Sequence, residues 1–143
     1  MVEVSVARQA SEDLLAGLRR LVPQLSSSAA PLERETLEAM LRSPGNTVLV
    51  ARDGGELVGM LTLVMYRLTT GLRARIEDVV VDARARGRGI GEALTREALR
   101  LAAEAGARSV DLTSNPERAA ANQLYQRMGF ELRNTNAYRF RFK

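Results

Sequence analysis

Between the apolar run Val79, Val80, Val81 and an amphipathic helical pattern lie Arg86, Gly87, Arg88, Gly89, Ile90 and Gly91. Where a strand ends and a helix begins, successive backbone N–H groups can point into one concavity at the positive end of a helix dipole. Glycine lets an anion come close to them. That chemistry suits phosphate. The spacing narrows the kind of phosphate site: no G-K-[S/T] follows, so the nucleoside-triphosphate loop is not matched. The glycines run G-x-G-x-G where dinucleotide binders have G-x-G-x-x-G. A tight strand-to-helix turn by itself is usually served by two glycines; three, with arginines between and before them, favour binding.

What the chain lacks prunes more chemistry than its motifs add. It has no cysteine and no histidine. There is thus no thiolate nucleophile, no disulfide framework, no histidine-based triad and no cysteine- or histidine-ligated metal. No metal is expected. The formal charge is +4, and Lys143 is the only lysine among 21 basic residues. The arginines are scattered among acidic residues and aromatics are few, which argues against a stacking platform for nucleic acid. No apolar run reaches membrane-spanning length, and the N-terminus lacks the basic-then-apolar order of a signal segment. The expectation is a soluble, cytoplasmic protein with neither a nucleic-acid nor a membrane partner, and its 143 residues suit one domain.

The elements that must position the glycines can be read from periodicity. Val2 to Arg8 alternates like a half-buried strand. Ser11 then caps a helix whose apolar face is Leu14, Leu15, Leu18, Leu21 and Val22, and which Pro23 and the SSSAAP stretch after it are expected to break. A short helix is expected over 32–41. TVLVAR and ELVGMLTLVMY, split by Asp53-Gly54-Gly55, read as an antiparallel hairpin, and ARIEDVVVD as a third strand. After the glycines comes a helix with Ile90, Ala93, Leu94, Ala98, Leu101, Ala102 and Ala105 on its apolar side, ending near Gly106. ARSVDLTS follows as a strand parallel to the third, then ERAAANQLYQRM as a helix stopped by Gly129, and FELR and AYRFRF as closing strands. The layout is α+β, a mixed sheet with helices.

With these residues in place a resemblance can be stated. R86-G-R-G-I-G91 after an apolar strand resembles the Q/R-x-x-G-x-G/A motif of the Gcn5-related N-acetyltransferases (GNAT). A121-N-Q-L-Y-Q-R-M-G-F130 is similar to that family's A-x-x-L-Y-x-x-x-G-F segment. IEDVVVD also resembles a strand of glucosamine-6-phosphate N-acetyltransferases. The resemblance spans nearly the whole chain. It implies a GNAT-like acyl-CoA N-acyltransferase fold over residues 1–143, a central, mostly antiparallel twisted sheet of about six to seven strands with about four helices.

It also implies roles. Acetyl-CoA would be the co-substrate, its pantetheine arm lying along the backbone of Val79, Val80 and Val81 and its pyrophosphate held by the amides from Arg86 through Gly87, Arg88, Gly89, Ile90 and Gly91 to Glu92. Arg84, Arg86 and Arg88 would add positive charge. Tyr125 matches the tyrosine that protonates the departing thiolate. Many members carry an asparagine seven residues before that tyrosine, where this chain has Arg118; Asn115 and Asn122 are the alternative contacts to the cofactor. With no covalent nucleophile, an amine would attack directly in a ternary complex. Glu77 or Asp78 would take its proton, unless each merely pairs with an arginine such as Arg73 or Arg75, and the N–H of Val79 would polarise the carbonyl. Alternation turns Glu77 and Asp78 to opposite faces unless a bulge intervenes. A small-molecule primary amine is the first acceptor expected and a peptide amine the second. The competing class is a non-catalytic acyl-CoA-binding module. The tail NTNAYRFRF alternates aromatic and basic residues, which suits either a homodimer edge or a lining of the acceptor pocket, and a homodimer is expected.

Overall fold

The computed structural model describes residues 1–143. They fall into two compact units, residues 1–112 and 113–143. The first contains the whole sheet. Its elements are β1 (Val2–Ala7), α1 (Glu12–Leu25), α2 (Arg34–Arg42), β2 (Asn46–Asp53), β3 (Glu56–Leu68), β4 (Gly71–Val81), a single 3₁₀ turn (Ala83–Ala85), α3 (Ile90–Glu104) and β5 (Val110–Asp111). The sheet order is β1-β2-β3-β4-β5, antiparallel throughout except for the parallel pairing of β4 with β5 across α3.

Helices lie on both faces of this sheet. Ser11 caps α1, its Oγ accepting from the Leu14 N–H at 3.1 Å. Leu14, Leu15, Leu18 and Leu21 are then buried together with Val48, Val50, Leu57, Met60 and Val80 of the sheet and Leu37 of α2. Each such side chain contributes about 1.5–3 kcal/mol over its exposed state. On the other face α3 sits against β3 at Gly59. A Cβ there would come within 3.2 Å of both Ile90 Cγ2 and Leu94 Cδ1, so the missing side chain sets how near the start of α3 comes to the sheet.

Several expectations need correction. Pro23 does not end α1, which runs on to Leu25; the Ser26 N–H bonds Val22 O at 2.9 Å, so the ring costs one interior bond and the last turn still closes. The second helix starts at Arg34, two residues later than expected. β5 is two residues long rather than eight. The sheet has five strands, not six to seven, because FELR and AYRFRF form no ladder. Tyr138, Phe140 and Phe142 keep the period-two pattern of a strand but are 91%, 82% and 91% exposed, and a strand exists only where its backbone finds a partner. The second unit therefore consists of α4 (Ala119–Arg127) and irregular chain.

Candidate active site

The centre of the site is a fault in the β3–β4 ladder. Met60 pairs with Val80 and Thr62 with Glu77, so Asp78 and Val79 together oppose the single residue Leu61. This is a β-bulge, and it places Asp78 at φ +53°, the one non-glycine residue with positive φ. Glu77 stays on the face of its partner Thr62, and the bulge replaces the simple alternation that would have sent Asp78 to the far side. β4 is also open on its other edge: β5 pairs only with Ala74 and Arg75, leaving residues 76–81 without a strand on that side.

The bulge determines which backbone groups face the gap. The Asp82 N–H donates to Val58 O at 2.8 Å, toward β3. By alternation the polar groups of Val81 and Val79 turn to the open edge, available to an extended amide-bearing chain. The Val81 carbonyl there accepts from Arg86 Nε at 3.3 Å.

At the end of β4 the chain passes through the 3₁₀ turn into α3. Gly87 and Gly89 have φ of +80° and +76°, the left-handed region, and Gly89 is the N-cap of α3. It supplies no side chain to the first turn, and the first helical bond is the Ala93 N–H to Gly89 O at 3.0 Å. The amides of Ile90 and Gly91 therefore lack an intrahelical acceptor, a donor array at the positive end of a fifteen-residue helix. A Cβ built at Gly87 or Gly89 meets nothing within 4 Å, so the space beside these amides is open.

The arginines around the loop divide. Arg84 donates to both Glu56 and Asp82, at 2.6 and 3.0 Å, and Arg88 is paired with Asp53. Only Arg86 of the three has no carboxylate partner. Asp82 is buried and accepts from the Arg84 amide as well, and Arg20 of α1 approaches it at 3.8 Å. Hydrogen bonds from the Arg84 side chain and amide hold its carboxyl down at about 2. The adjoining Ala83 amide bonds Gln24 of α1 at 2.8 Å. This network, which ties the end of β4 to α1, had only a weak signal in the sequence, an aspartate two residues before an arginine. Asp82→Ala is expected to cost about 2–3 kcal/mol, measured by denaturant unfolding. Because the folded-state pKa is depressed, the contribution of Asp82 is fully present above the ordinary carboxylate range and is lost as pH falls toward 2. The stability gap between Asp82→Asn and the parent should shrink over that interval.

The two acidic candidates at the bulge differ. Glu77 is paired with Arg75 at 3.2 Å on the same face. Asp78 makes no side-chain hydrogen bond or ion pair, and partial burial, followed by the neighbouring Glu77 charge, pushes its carboxyl above the usual value. Of the two, Asp78 has the properties of a proton acceptor.

The second unit holds the other named residues. Tyr125 is buried in α4 with its ring edge-on to Phe130 at 5.6 Å, and burial raises its phenol pKa, with Arg118 opposing. Asn115 Oδ1 accepts from the Glu117 amide at 2.9 Å and Asn122 Nδ2 donates to Asn115 O at 3.0 Å, so both side chains serve the turn before α4.

Residues 15–130 match the model of the acetyltransferase (GNAT) family. A glucosamine 6-phosphate N-acetyltransferase of rice is 33% identical over 132 residues, covering 85% of this chain and 78% of its own. A putative acetyltransferase of Agrobacterium tumefaciens superposes with a TM-score of 0.86 at 29% identity, over 98% of this chain and 99% of that one. An aminoglycoside acetyltransferase from a soil metagenomic sample shares the fold at a TM-score of 0.88 and 18% identity, over 99% and 97%. A bulged strand with an open edge, leading into glycines at a bare helix start, is thus found in a chain that belongs to the GNAT family of acetyltransferases.

Proposed function

We propose that this GNAT acetyltransferase moves an acetyl group from acetyl-CoA to the primary amine of a small molecule, with residues 1–143 acting as one catalytic domain. The observation that carries the reading is the conjunction of the uncapped α3 amides with the unpaired edge of β4 beyond Arg75. The residues present fit the cofactor. Open space beside Gly87 and Gly89 admits phosphates, and the edge groups of Val79 and Val81 can pair with amides. Acetyl-CoA would supply a thioester whose carbonyl carbon is open to attack. The chain's own groups do the rest: the Val79 N–H donates to the carbonyl oxygen, Asp78 takes the ammonium proton, and the family's tyrosine, Tyr125, gives a proton to sulfur. Arg86, free of a carboxylate, is the side chain nearest in sequence to add charge at the phosphates.

The small-molecule preference is supported by the rice relative, whose name specifies an amino-sugar substrate. Calorimetric titration with acetyl-CoA, desulfo-CoA and ATP, followed by thiol release with panels of amines and peptides, tests both parts. Binding of the two CoA forms with faster turnover of small amines is expected; faster turnover of peptides would replace the acceptor proposed. Tyr125→Phe is expected to lower kcat about 10-fold with the acetyl-CoA KM unchanged, a modest loss because a thiolate leaves readily even unprotonated. The parent should also lose activity at alkaline pH, where the phenol ionises; its raised pKa moves that limb upward.

A homodimer and a cytoplasmic location complete the proposal. The exposed Leu132, Tyr138, Phe140 and Phe142 support the dimer, since a second copy could cover them. A monomer in sedimentation at micromolar concentration would remove it.

A further inference from the structure

Eight arginines of the first unit have a carboxylate partner: Arg20, Arg34, Arg52, Arg75, Arg84, Arg88, Arg96 and Arg100. Arg73 and Arg108 do not, and they meet. Arg73 Nη2 donates to Thr70 Oγ1 at 2.9 Å and Arg108 Nη1 to Thr70 O at 2.8 Å, so two guanidinium groups converge on one neutral residue of the β3–β4 turn. Arg73 Nε is buried with no acceptor. Leaving a buried donor of this kind unmet is costly, and a cationic fork is best satisfied by an anion.

The register says which face they occupy. Thr62 pairs with Glu77, Val64 with Arg75 and Tyr66 with Arg73, so Arg73, Arg75 and Glu77 line the face of β4 opposite α3. Arg108 crosses onto that face over Gly71, where a Cβ would come within 2.7 Å of Arg108 Cδ. The acidic groups close by in register, Glu77 and Asp111, lie beside Arg75 and not beside Arg73. α1 and α2 cover this face at Val48, Val50, Met60 and Val80, and the stretch from Arg73 to Glu77 lies outside that cluster, where an acceptor can be met.

Resting on the acetyltransferase reading, we propose that Arg73 and Arg108 form an anion subsite for the acceptor, and that the acceptor is a small amine bearing a phosphate group. Two guanidinium charges match a phosphate dianion. The six positions from Arg73 to Val79 span about 20 Å of strand, part of which the arginine side chains reach back over, so amine and phosphate are separated by on the order of 10 Å.

The test is a panel of matched amines with and without phosphate, glucosamine 6-phosphate against glucosamine and phosphoethanolamine against ethanolamine among them, extended to longer amino-sugar phosphates. The expected result is a kcat/KM at least about 30-fold higher for the phosphorylated member, and a fall of about 10–100-fold in Arg73→Gln and Arg108→Gln for that member alone. Acetyl-CoA affinity and turnover of the neutral member should not change, which a folding defect would not allow. A best acceptor without an anion, or equal losses on both members, overturns the subsite and leaves the acetyltransferase standing. Absence of thiol release with every amine, in protein that binds acetyl-CoA, overturns the acceptor reading and the subsite with it.

Discussion

Gly89→Asp is expected to weaken acetyl-CoA binding about 1000-fold without disturbing the fold. Aspartate is among the few side-chain-bearing residues that enter the left-handed region, so the φ of +76° strains it less than it would most others. A Cβ meets nothing there within 4 Å, so no side chain has to move. What changes is charge: a carboxylate would stand about 4 Å from the phosphates, where like charges at a protein surface repel by about 4 kcal/mol. Gly89→Asn has nearly the same shape, the same tolerance of positive φ and no charge, and should bind within a few-fold of the parent. Calorimetry with acetyl-CoA on both variants, with thermal melts to show folding, separates the outcomes. Unchanged affinity in folded Gly89→Asp would move the pyrophosphate away from this loop.

The reasons this region was legible in the sequence, and others were not, are physical. Glycines before a helix constrain backbone conformation locally, so their spacing carries information by itself. The hairpin at Asp53-Gly54-Gly55 and the apolar stripes of α1 and α3 are likewise local patterns, and the structure has them. The bulge is different. It arises from pairing two residues of β4 against Leu61, and Asp78 gives no warning in a run that otherwise reads as a continuous strand. Arginine partners are further still from view: Arg88 finds Asp53 across 35 residues and Arg84 finds Glu56 across 28, so two side chains that spacing would assign to phosphate are committed to carboxylates. The tail shows the converse failure. Tyr138, Phe140 and Phe142 alternate as a strand should, yet alternation records a face to be covered and supplies no backbone partner.

The same bulge makes Asp78 the residue on which turnover should depend most. Asp78→Asn is expected to lower kcat by about 100–1000-fold while leaving acetyl-CoA affinity intact. Asparagine accepts positive φ as readily as aspartate, so the backbone at φ +53° and the edge groups it aims should persist; only the ability to take a proton is lost. Glu77→Gln should cost far less, since the Glu77 carboxylate is already held by Arg75. The pH dependence gives the sign. Asp78 accepts a proton only when ionised, and its pKa is raised by partial burial and by Glu77, so kcat/KM should fall on the acid side above the ordinary carboxylate range. Removing the Glu77 charge lowers the Asp78 pKa toward the normal value, so Glu77→Gln should shift this limb to lower pH, and Asp78→Asn should abolish it. A full acid limb retained in Asp78→Asn would assign the proton to another group, and an equal kcat loss in Glu77→Gln would mean that the Arg75 ion pair, rather than a free carboxylate at the bulge, is what the reaction requires.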